Sequence, residues 1–587
     1  MIELIVSNAH RLARYKNVSK KFFLGDWCFD DLDSLKKVNK DQLIKNDWND
    51  HKIRQKDYKK LSKKIDIYIK ILSKYLNNLH KTKYSKKYWK LLLYVWLGYY
   101  LPYQYIRFKL LKKTIENNNL FINIYNNPIQ NLTLDTIGFY NKSSSCEEYN
   151  YSSFIRIIFF LKSKGYKIRI IKNKKKLRLK KKNNLDNNLK FKNSKYSIIN
   201  IFDKLFYFIT KKNPILLMGG FRIKDFILLS LRLKQVPLGG YQIFNWYEIR
   251  NKFKLITKEK NLTLKNKNKN NLFNDYICEN IIQDLPQIYT IYYKRINFLI
   301  NKIKLTPKVI FSSFKHYHDE IFKFWLANKI ENKIKFFSIC HGGHHQIISP
   351  VFDYDYLISK RYIQWFNQYK NKKLKLPISF FINFKKNKKK NNSSILYMGY
   401  ELNKFPSGII PGPLGASDLI DSKPNVINFY NLLDKDLKKN FIYSPKRSND
   451  ERFLKHLKKE IGNQKIAPTR SFNSLRLDSK IVICSYPQTG FLESMMCGPT
   501  ILLCDLYKWK FDPKFKKIYD LLIKNKIIFF SEEKAADYLN KNINEIEKNW
   551  WSNQNQLVIN KFFKKFYMPS KEPISKWVNF IENEKKF

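Results

Sequence analysis

Cysteine is scarce and odd in number. Seven residues with no Cys-x-x-Cys pair exclude a disulfide framework and the common zinc-ribbon patterns. Cys28, Cys340, Cys484, Cys497 and Cys504 sit within or beside apolar runs, which predicts buried free thiols in a reducing compartment. Glycine and proline, 17 and 19 of 587 residues, are too few for a low-complexity or collagen-like chain. No apolar run reaches the roughly 18 residues of a membrane span. The most apolar stretch, Tyr88 to Ile106, is interrupted by Lys90 and Pro102 and is rich in Tyr and Trp. Met1 to Val6 is too short and wrongly flanked for a signal peptide. These absences predict a cytoplasmic protein, touching a membrane at most peripherally, at its inner face.

Acidic residues are also short. Asp and Glu number 48 against 112 Lys and Arg, leaving a net charge of +64. Such an excess resembles a nucleic-acid footprint. Yet Lys far outnumbers Arg, Asn is abundant and the excess is spread along the chain, as base-composition drift would leave it. Phosphate-reading surfaces concentrate Arg for its bidentate fork, so nucleic acid is not the expected partner. The charge still predicts attraction to polyanions and to anionic membranes.

What remains is the material of a large core. With 44% hydrophobic and 16% aromatic residues the chain must fold, and its length suits two to four domains. Short apolar runs at Glu3 to Val6 and Phe22 to Leu24 read as strands. From Leu61, the positions Ile65, Tyr68, Leu72, Leu76 and Leu79 recur at three- and four-residue steps, the stripe of an amphipathic helix. A second helix begins near Tyr88 and should break at Pro102. Lys/Asn-rich segments at 172–195, 258–271 and 385–392 lack any apolar period and read as solvated loops.

Elsewhere strands alternate with helices. Strands are expected at Pro214 to Met218, Lys308 to Phe311 and Lys335 to Ile339, with helices at Lys224 to Leu233 and Asp319 to Asn328. Beyond residue 393 the strands are Ile395 to Met398, Phe441 to Tyr443, Ile481 to Cys484, Thr500 to Leu503 and Ile527 to Phe530. Helices are expected at Val426 to Leu437, near Phe491 to Cys497 and from Glu532. Alternation of this kind implies parallel sheets with right-handed crossovers. The expected fold is α/β, with two Rossmann-like lobes and a helical N-terminal elaboration. An N-terminal lobe covers 1–384 with a helical insert at about 51–115, a linker covers 385–393, and a C-terminal lobe covers 394–587.

Ligands of such sheets bind beyond the carboxyl ends of strands, and two loops there carry chemistry. In the first, His341, Gly342, Gly343, His344 and His345 follow a buried strand. Paired glycines let backbone amides approach a ligand, and His341 at a strand tip could act as a general base. A metal reading of the three His fits no established zinc spacing, and a Gly-rich turn with incidental His is the plain alternative. In the second, Ser485 to Glu493 lies between a strand and a helix. Ser485, Thr489 and Gly490 at a helix N-terminus would make a phosphate site, with Glu493 on ribose hydroxyls. The plain alternative has Glu493 at N3 of a helix capped at Gly490. Lys446 and Arg447 follow another strand and could neutralise phosphate, or be solvated surface. Asp26 follows the second strand and is a second candidate base. Asp353-Tyr354-Asp355 matches a metal-binding D-x-D, but so short a match arises readily by chance, and no metal or cofactor is expected.

The chain also resembles a family of transferases from bacterial surface-polysaccharide gene clusters. The resemblance rests on Phe23 to Cys28, Asp47 to Asp50, Leu76, Asn77, His80, Tyr84, Ser85, Tyr88, Trp89, Trp96 and Leu97. Further matches are Leu231 to Leu233, Gln235, Pro237, Ser312, Ser313, His341 to Gly343, Thr489 to Glu493, Pro499 and Thr500. Cys340 stands where Gln is usual before His-Gly-Gly, and Tyr443 to Arg447 match only loosely. The C-terminal half of that family is similar to two-lobed glycosyltransferases of the GT-B type and to glycerophosphate polymerases. The resemblance implies a nucleotide-sugar donor and a glycan or lipid-linked acceptor, with metal-independent glycosyl transfer and His341 as base. The rivals are transfer of glycerol phosphate or another phosphorylated polyol on the same fold, a basic nucleic-acid-binding protein, and a non-catalytic scaffold.

Overall fold

The computed structural model describes residues 1–8, 21–125, 130, 132–172, 209, 212–237, 244–257, 263–264, 271–340, 342, 353–363, 376, 393–399, 403–406, 426–445, 451–468, 472–504, 506, 516–566 and 572–586. Within them three parallel sheets are packed among many helices. The N-terminal region, where the sequence pattern suggested only two strands, has a four-stranded sheet of its own. It comprises β1 (Ile2–Ile5), β2 (Lys21–Phe23), β3 (Leu120–Ile124) and β4 (Ile168–Lys172), in the order β2-β1-β3-β4.

Between β2 and β3 runs a hairpin of two long helices, His51–His80 and Lys86–Glu116. Asp50 caps the first, accepting from the Lys52 amide at 2.7 Å, and Ser85 caps the second, accepting from the Tyr88 amide at 3.2 Å. The turn is stapled by Asn77, whose Oδ1 accepts from Trp89 Nε1 and from Thr82 Oγ1, each at 2.9 Å. His80 stacks on Tyr293 with centroids 3.8 Å apart, and the Glu331 carboxylate accepts from the Ser85 amide and hydroxyl. The signature residues Asn77, His80, Ser85 and Trp89 are thus parts of a helix-hairpin clamp.

The expected break at Pro102 does not occur, and the second helix continues to Glu116. A proline inside a helix costs about 3 kcal/mol. This helix buries every residue from Leu91 to Gln104, and so its whole circumference there. Burial of each such side chain is worth about 1.5–3 kcal/mol, so packing overrides the local penalty.

The middle sheet runs in simple order, β5 (Ile215–Met218), β6 (Val309–Ser312), β7 (Lys335–Ile339) and β8 (Arg361–Ile363). The C-terminal sheet comprises β9 (Ile395–Met398), β10 (Phe441–Ser444), β11 (Ile481–Cys484), β12 (Thr500–Leu503) and β13 (Ile528–Phe529), in the order β10-β9-β11-β12-β13. Its strands are apolar on both faces. Leu396, Met398, Val482 and Cys484 enter one core, and Ile395, Tyr397, Ile481 and Ile483 the other. That pattern belongs to a parallel sheet covered by helices on both sides. The single helix expected over Val426 to Leu437 is two, Val426–Asn431 and Lys435–Lys439.

The C-terminal helix, Pro573–Lys586, leaves its own sheet for the middle one. Trp577 and Ile581 pack with Ile215, Leu217, Phe311 and Phe337, and Glu584 pairs with Lys360 at 2.7 Å. In the other direction, Asn403–Pro406 beyond β9 reaches the N-terminal helices. Phe405 joins their core, and the Pro406 carbonyl accepts from Arg107. Among the described residues no helix is long and apolar enough to cross a membrane.

Candidate active site

The order of the C-terminal sheet creates a crevice. The chain goes from β9 outward to β10, then returns to the other side of β9 as β11, so the connections after β9 and β11 diverge at their carboxyl ends. A crevice of this kind is where open parallel sheets bind ligands. Ser485, one residue past β11, bridges it by donating from Oγ to the Met398 carbonyl at the end of β9, at 2.8 Å.

Two glycines make the crevice tight. A β-carbon on Gly399 would lie 2.3 Å from the Tyr443 hydroxyl, and one on Gly490 would lie 2.5 Å from Met398 Sδ. The absence of a side chain at Gly490 lets the helix Thr489–Cys497 point its first turn at the crevice floor. Gln488, the residue before it, is in extended conformation and its side chain makes no capping hydrogen bond. Ser485, Gln488, Thr489 and Gly490 are only half-buried. Helix amides and the helix dipole favour an anion at such a place.

Glu493 is five residues past the Gln488 cap, not at N3, so the capping alternative does not hold. Its Oε2 pairs instead with Arg476, a buried residue of the helix Phe472–Asp478. Burial raises the nearby Cys497 thiol, against the opposing charges of Arg476 and Arg222. Arg222 belongs to the middle sheet, at the start of the helix after β5, so that sheet's carboxyl end comes within electrostatic reach of the Thr489–Cys497 helix.

Apolar packing joins the same two places. One cluster holds Cys340 and Tyr362 of the middle sheet together with Met398, Cys484, Tyr486 and Phe491 of the C-terminal sheet. Cys340 is the residue before the predicted His-Gly-Gly turn. It is fully buried and its thiol donates to the Gly342 carbonyl at 3.0 Å. His341 and Gly343 lie outside the described residues, as do His344, His345, Lys446 and Arg447.

Between β6, β7 and the helix Tyr354–Ile358 is a buried polar network that the sequence did not announce. His316 Nδ1 meets Ser312 Oγ at 3.0 Å, and His316 Nε2 meets Asp355 Oδ1 at 2.7 Å. Ser338 and Tyr317 donate to the same carboxylate. Burial alone would raise Asp355, but the His316 hydrogen bond and charge, with Ser338 and Tyr317, hold it below the usual carboxylate range. The second carboxylate of the D-x-D triplet is therefore committed to protein partners. Among the described residues no group of three His, Cys, Asp or Glu side chains could hold a metal ion.

Asp26 is buried in a 3-10 turn after β2. Trp27 folds back over Gly25 there and donates from Nε1 to the Val6 carbonyl at 2.8 Å. Arg452, at the start of the helix after β10, donates to the carbonyls of Asp26 and Phe29. The structure thus groups Ser485, Thr489, Gly490 and Glu493 at one crevice, ties Gly342 to it through the Cys340 cluster, and joins Asp26 to Arg452.

Sequence reasoning missed Arg222, Arg452 and Arg476. A signal was present, because arginine is scarce in so lysine-rich a chain. Where drift favours lysine, the arginines that persist mark positions needing a planar fork. Arg54, Arg107, Arg250, Arg452 and Arg476 are all buried, and among the described residues Lys323 is the only lysine comparably so.

A family model described as LIC12162 family transferase matches residues 3–581. No curated protein and no solved structure matches the chain.

Proposed function

Because the chain belongs to the LIC12162 family of transferases, we propose that it moves a glycosyl group from a nucleotide-activated donor to a surface-glycan acceptor. The observation that supports this reading best is the β9/β11 crevice, floored by Met398 and Gly490 and sharing an apolar cluster with the turn after β7. In this reading the two lobes are 1–384 and 394–587, and the reaction takes place where the middle and C-terminal sheets meet.

The donor phosphates would lie on the first turn of the helix Thr489–Cys497, against Ser485, Thr489 and Gly490. Lys446 and Arg447, after β10, would add countercharge. Glu493 pairs through Oε2 with Arg476, which would orient the carboxylate so that a ribose hydroxyl could donate to Oε1. On the opposite side His341 would take the proton of the acceptor hydroxyl, with Asp26 as the alternative base. The acceptor oxygen then bonds to the anomeric carbon, and the carbon–oxygen bond to the phosphate breaks, its electron pair leaving with the nucleotide. Backbone amides and the helix dipole would stabilise that leaving group without a metal.

The test is a thermal-shift panel of CMP-, UDP-, GDP- and CDP-linked sugars with CDP-glycerol. One nucleotide sugar should raise the melting temperature of the wild type and fail to do so in a Thr489→Pro or Gly490→Val variant that still melts cooperatively. A shift from CDP-glycerol alone would move the transferred group to a polyol phosphate. No shift from any donor, or one indifferent to these substitutions, would overturn the reading.

A further inference from the structure

The helix Ile223–Arg232 packs Leu229 and Phe226 against the middle sheet yet is also apolar on the side facing water. Its outward positions are Ile223, Ile227, Leu228 and Leu231, with exposures of 55%, 39%, 43% and 59%. Its inward positions include Asp225 and Ser230, at 2% and 0%, alongside Leu229 and Leu233. Among the described residues Asp225 Oδ2 and Ser230 Oγ have no hydrogen-bond partner. A surface helix ordinarily puts its polar residues outside and its apolar stripe inside. Here four branched aliphatic side chains at successive spacings of four, one and three form a stripe on the solvent side, while Asp225 and Ser230 are buried beside the inward Leu229.

That stripe is rimmed by cations. Lys224, Arg232 and Lys234 are all exposed beside it, and the one acid of the helix, Asp225, is buried on the other face. The patch is also placed with respect to the candidate active site. The helix starts directly after the Gly219-Gly220 turn at the carboxyl end of β5, where both glycines have positive φ, 79° and 89°. A β-carbon on Gly220 would lie 3.3 Å from that of Ser313, and Ser313 leads into Phe314, itself 47% exposed. Exposed Ile223 and Phe314 therefore follow closely on the carboxyl ends of β5 and β6.

We infer that the outward face of the helix Ile223–Arg232 docks the protein onto an anionic bilayer, with Ile223, Ile227, Leu228 and Leu231 entering the headgroup–acyl boundary and Lys224, Arg232 and Lys234 at the headgroups. An apolar stripe with a basic rim is the composition of an interfacial helix. The chain's net charge of +64 draws it toward an anionic surface in the same sense. A second copy of the chain is a poor occupant. The stripe spans one helix of ten residues, about 15 Å long, and cannot by itself supply the roughly 800 Å² per partner of a stable interface. The inference builds on the proposed lipid-linked acceptor, since docking here would hold the mouth of the site at the surface where such an acceptor resides. Its test does not depend on that proposal.

The experiment is co-sedimentation of the full chain with vesicles of phosphatidylcholine alone and with one-third phosphatidylglycerol. The wild type should bind the anionic vesicles, and Ile227→Asp/Leu231→Asp should lower the partition coefficient by roughly tenfold or more. The milder Ile227→Ser/Leu231→Ser pair should fall between and serves if the aspartates disturb folding, which thermal melts will report. Donor-induced thermal shifts should be the same in both variants, so that failure of docking and failure of the donor reading are separable. Absence of wild-type binding, binding by both variant pairs equal to that of the wild type, or a dimer by sedimentation velocity that the substitutions dissociate would each overturn the inference.

Discussion

Gly490 lies against Met398 so closely that a β-carbon on the glycine would sit 2.5 Å from the methionine sulfur. This contact sets the height of the Thr489–Cys497 helix above the crevice between β9 and β11. It also makes the crevice sensitive to one methyl group.

Gly490→Ala should therefore lower stability by about 1–3 kcal/mol, the usual cost of overpacking a core, and should weaken donor binding. Met398→Ala in the same chain opens the space the methyl needs, so the double variant should recover part of both losses. A double-mutant cycle in urea measures this coupling. Strict additivity of the two single effects would mean that the contact does not govern the helix.

Gly25 is a sharper case of the same kind. A β-carbon there would lie 2.0–2.4 Å from ring atoms of Trp27, a side chain that is 2% exposed and held by its bond to the Val6 carbonyl. A rigid indole cannot yield as a methionine can. Gly25→Ala should cost about 3 kcal/mol or more. Gly498→Ala, where nothing lies within 4 Å, should be close to neutral. Chemical denaturation of the two variants side by side checks the contrast.

Arg476 and Glu493 form a pair that is mostly withdrawn from water, with side-chain exposures of 5% and 18%. Removing the cation alone, in Arg476→Met, leaves a half-buried carboxylate and should cost about 3 kcal/mol. Arg476→Met/Glu493→Gln should cost much less. Arg476→Lys should keep the charge but lose the fork, so that donor affinity falls more than stability does.

The Asp355 network fixes the sign of an acid effect. A carboxyl whose pKa is lower in the folded protein than in the unfolded chain adds stability that is fully present above its ordinary value of 3.8. That stability is lost as pH falls through the lower native value. Asp355→Asn and His316→Ala should both remove this component. The urea midpoint of either variant should then fall less steeply than that of the wild type as pH drops below about 4. Parallel curves would show that the network carries no linkage.

With His341 as the proposed base, His341→Ala should abolish turnover while leaving the donor-induced thermal shift intact, because that role concerns the acceptor hydroxyl and not the phosphates. Loss of the shift together with activity would place this residue at the donor instead.

The chain's pattern of residues was enough to determine the strands of the C-terminal sheet. Ile395–Met398, Ile481–Cys484 and Thr500–Leu503 are continuous apolar runs closed by polar or turn residues, and in a sheet covered on both faces burial leaves no other composition available. The loop at Ser485 to Gly490 was legible for the same reason, since it follows such a run and opens a helix. The N-terminal sheet was not, because β3 alternates buried and half-buried positions and β4 is largely exposed at its edge. Pro102 misled because a local rule was outweighed by burial on every side of the helix. Only the tertiary structure decided that Glu493 meets Arg476, that Asp355 meets His316, that the C-terminal helix crosses to the middle sheet, and that Ile223, Ile227 and Leu231 face outward. Each of these depends on which distant surfaces come together. Helical periodicity identifies an apolar stripe, but it does not say whether protein or solvent covers it.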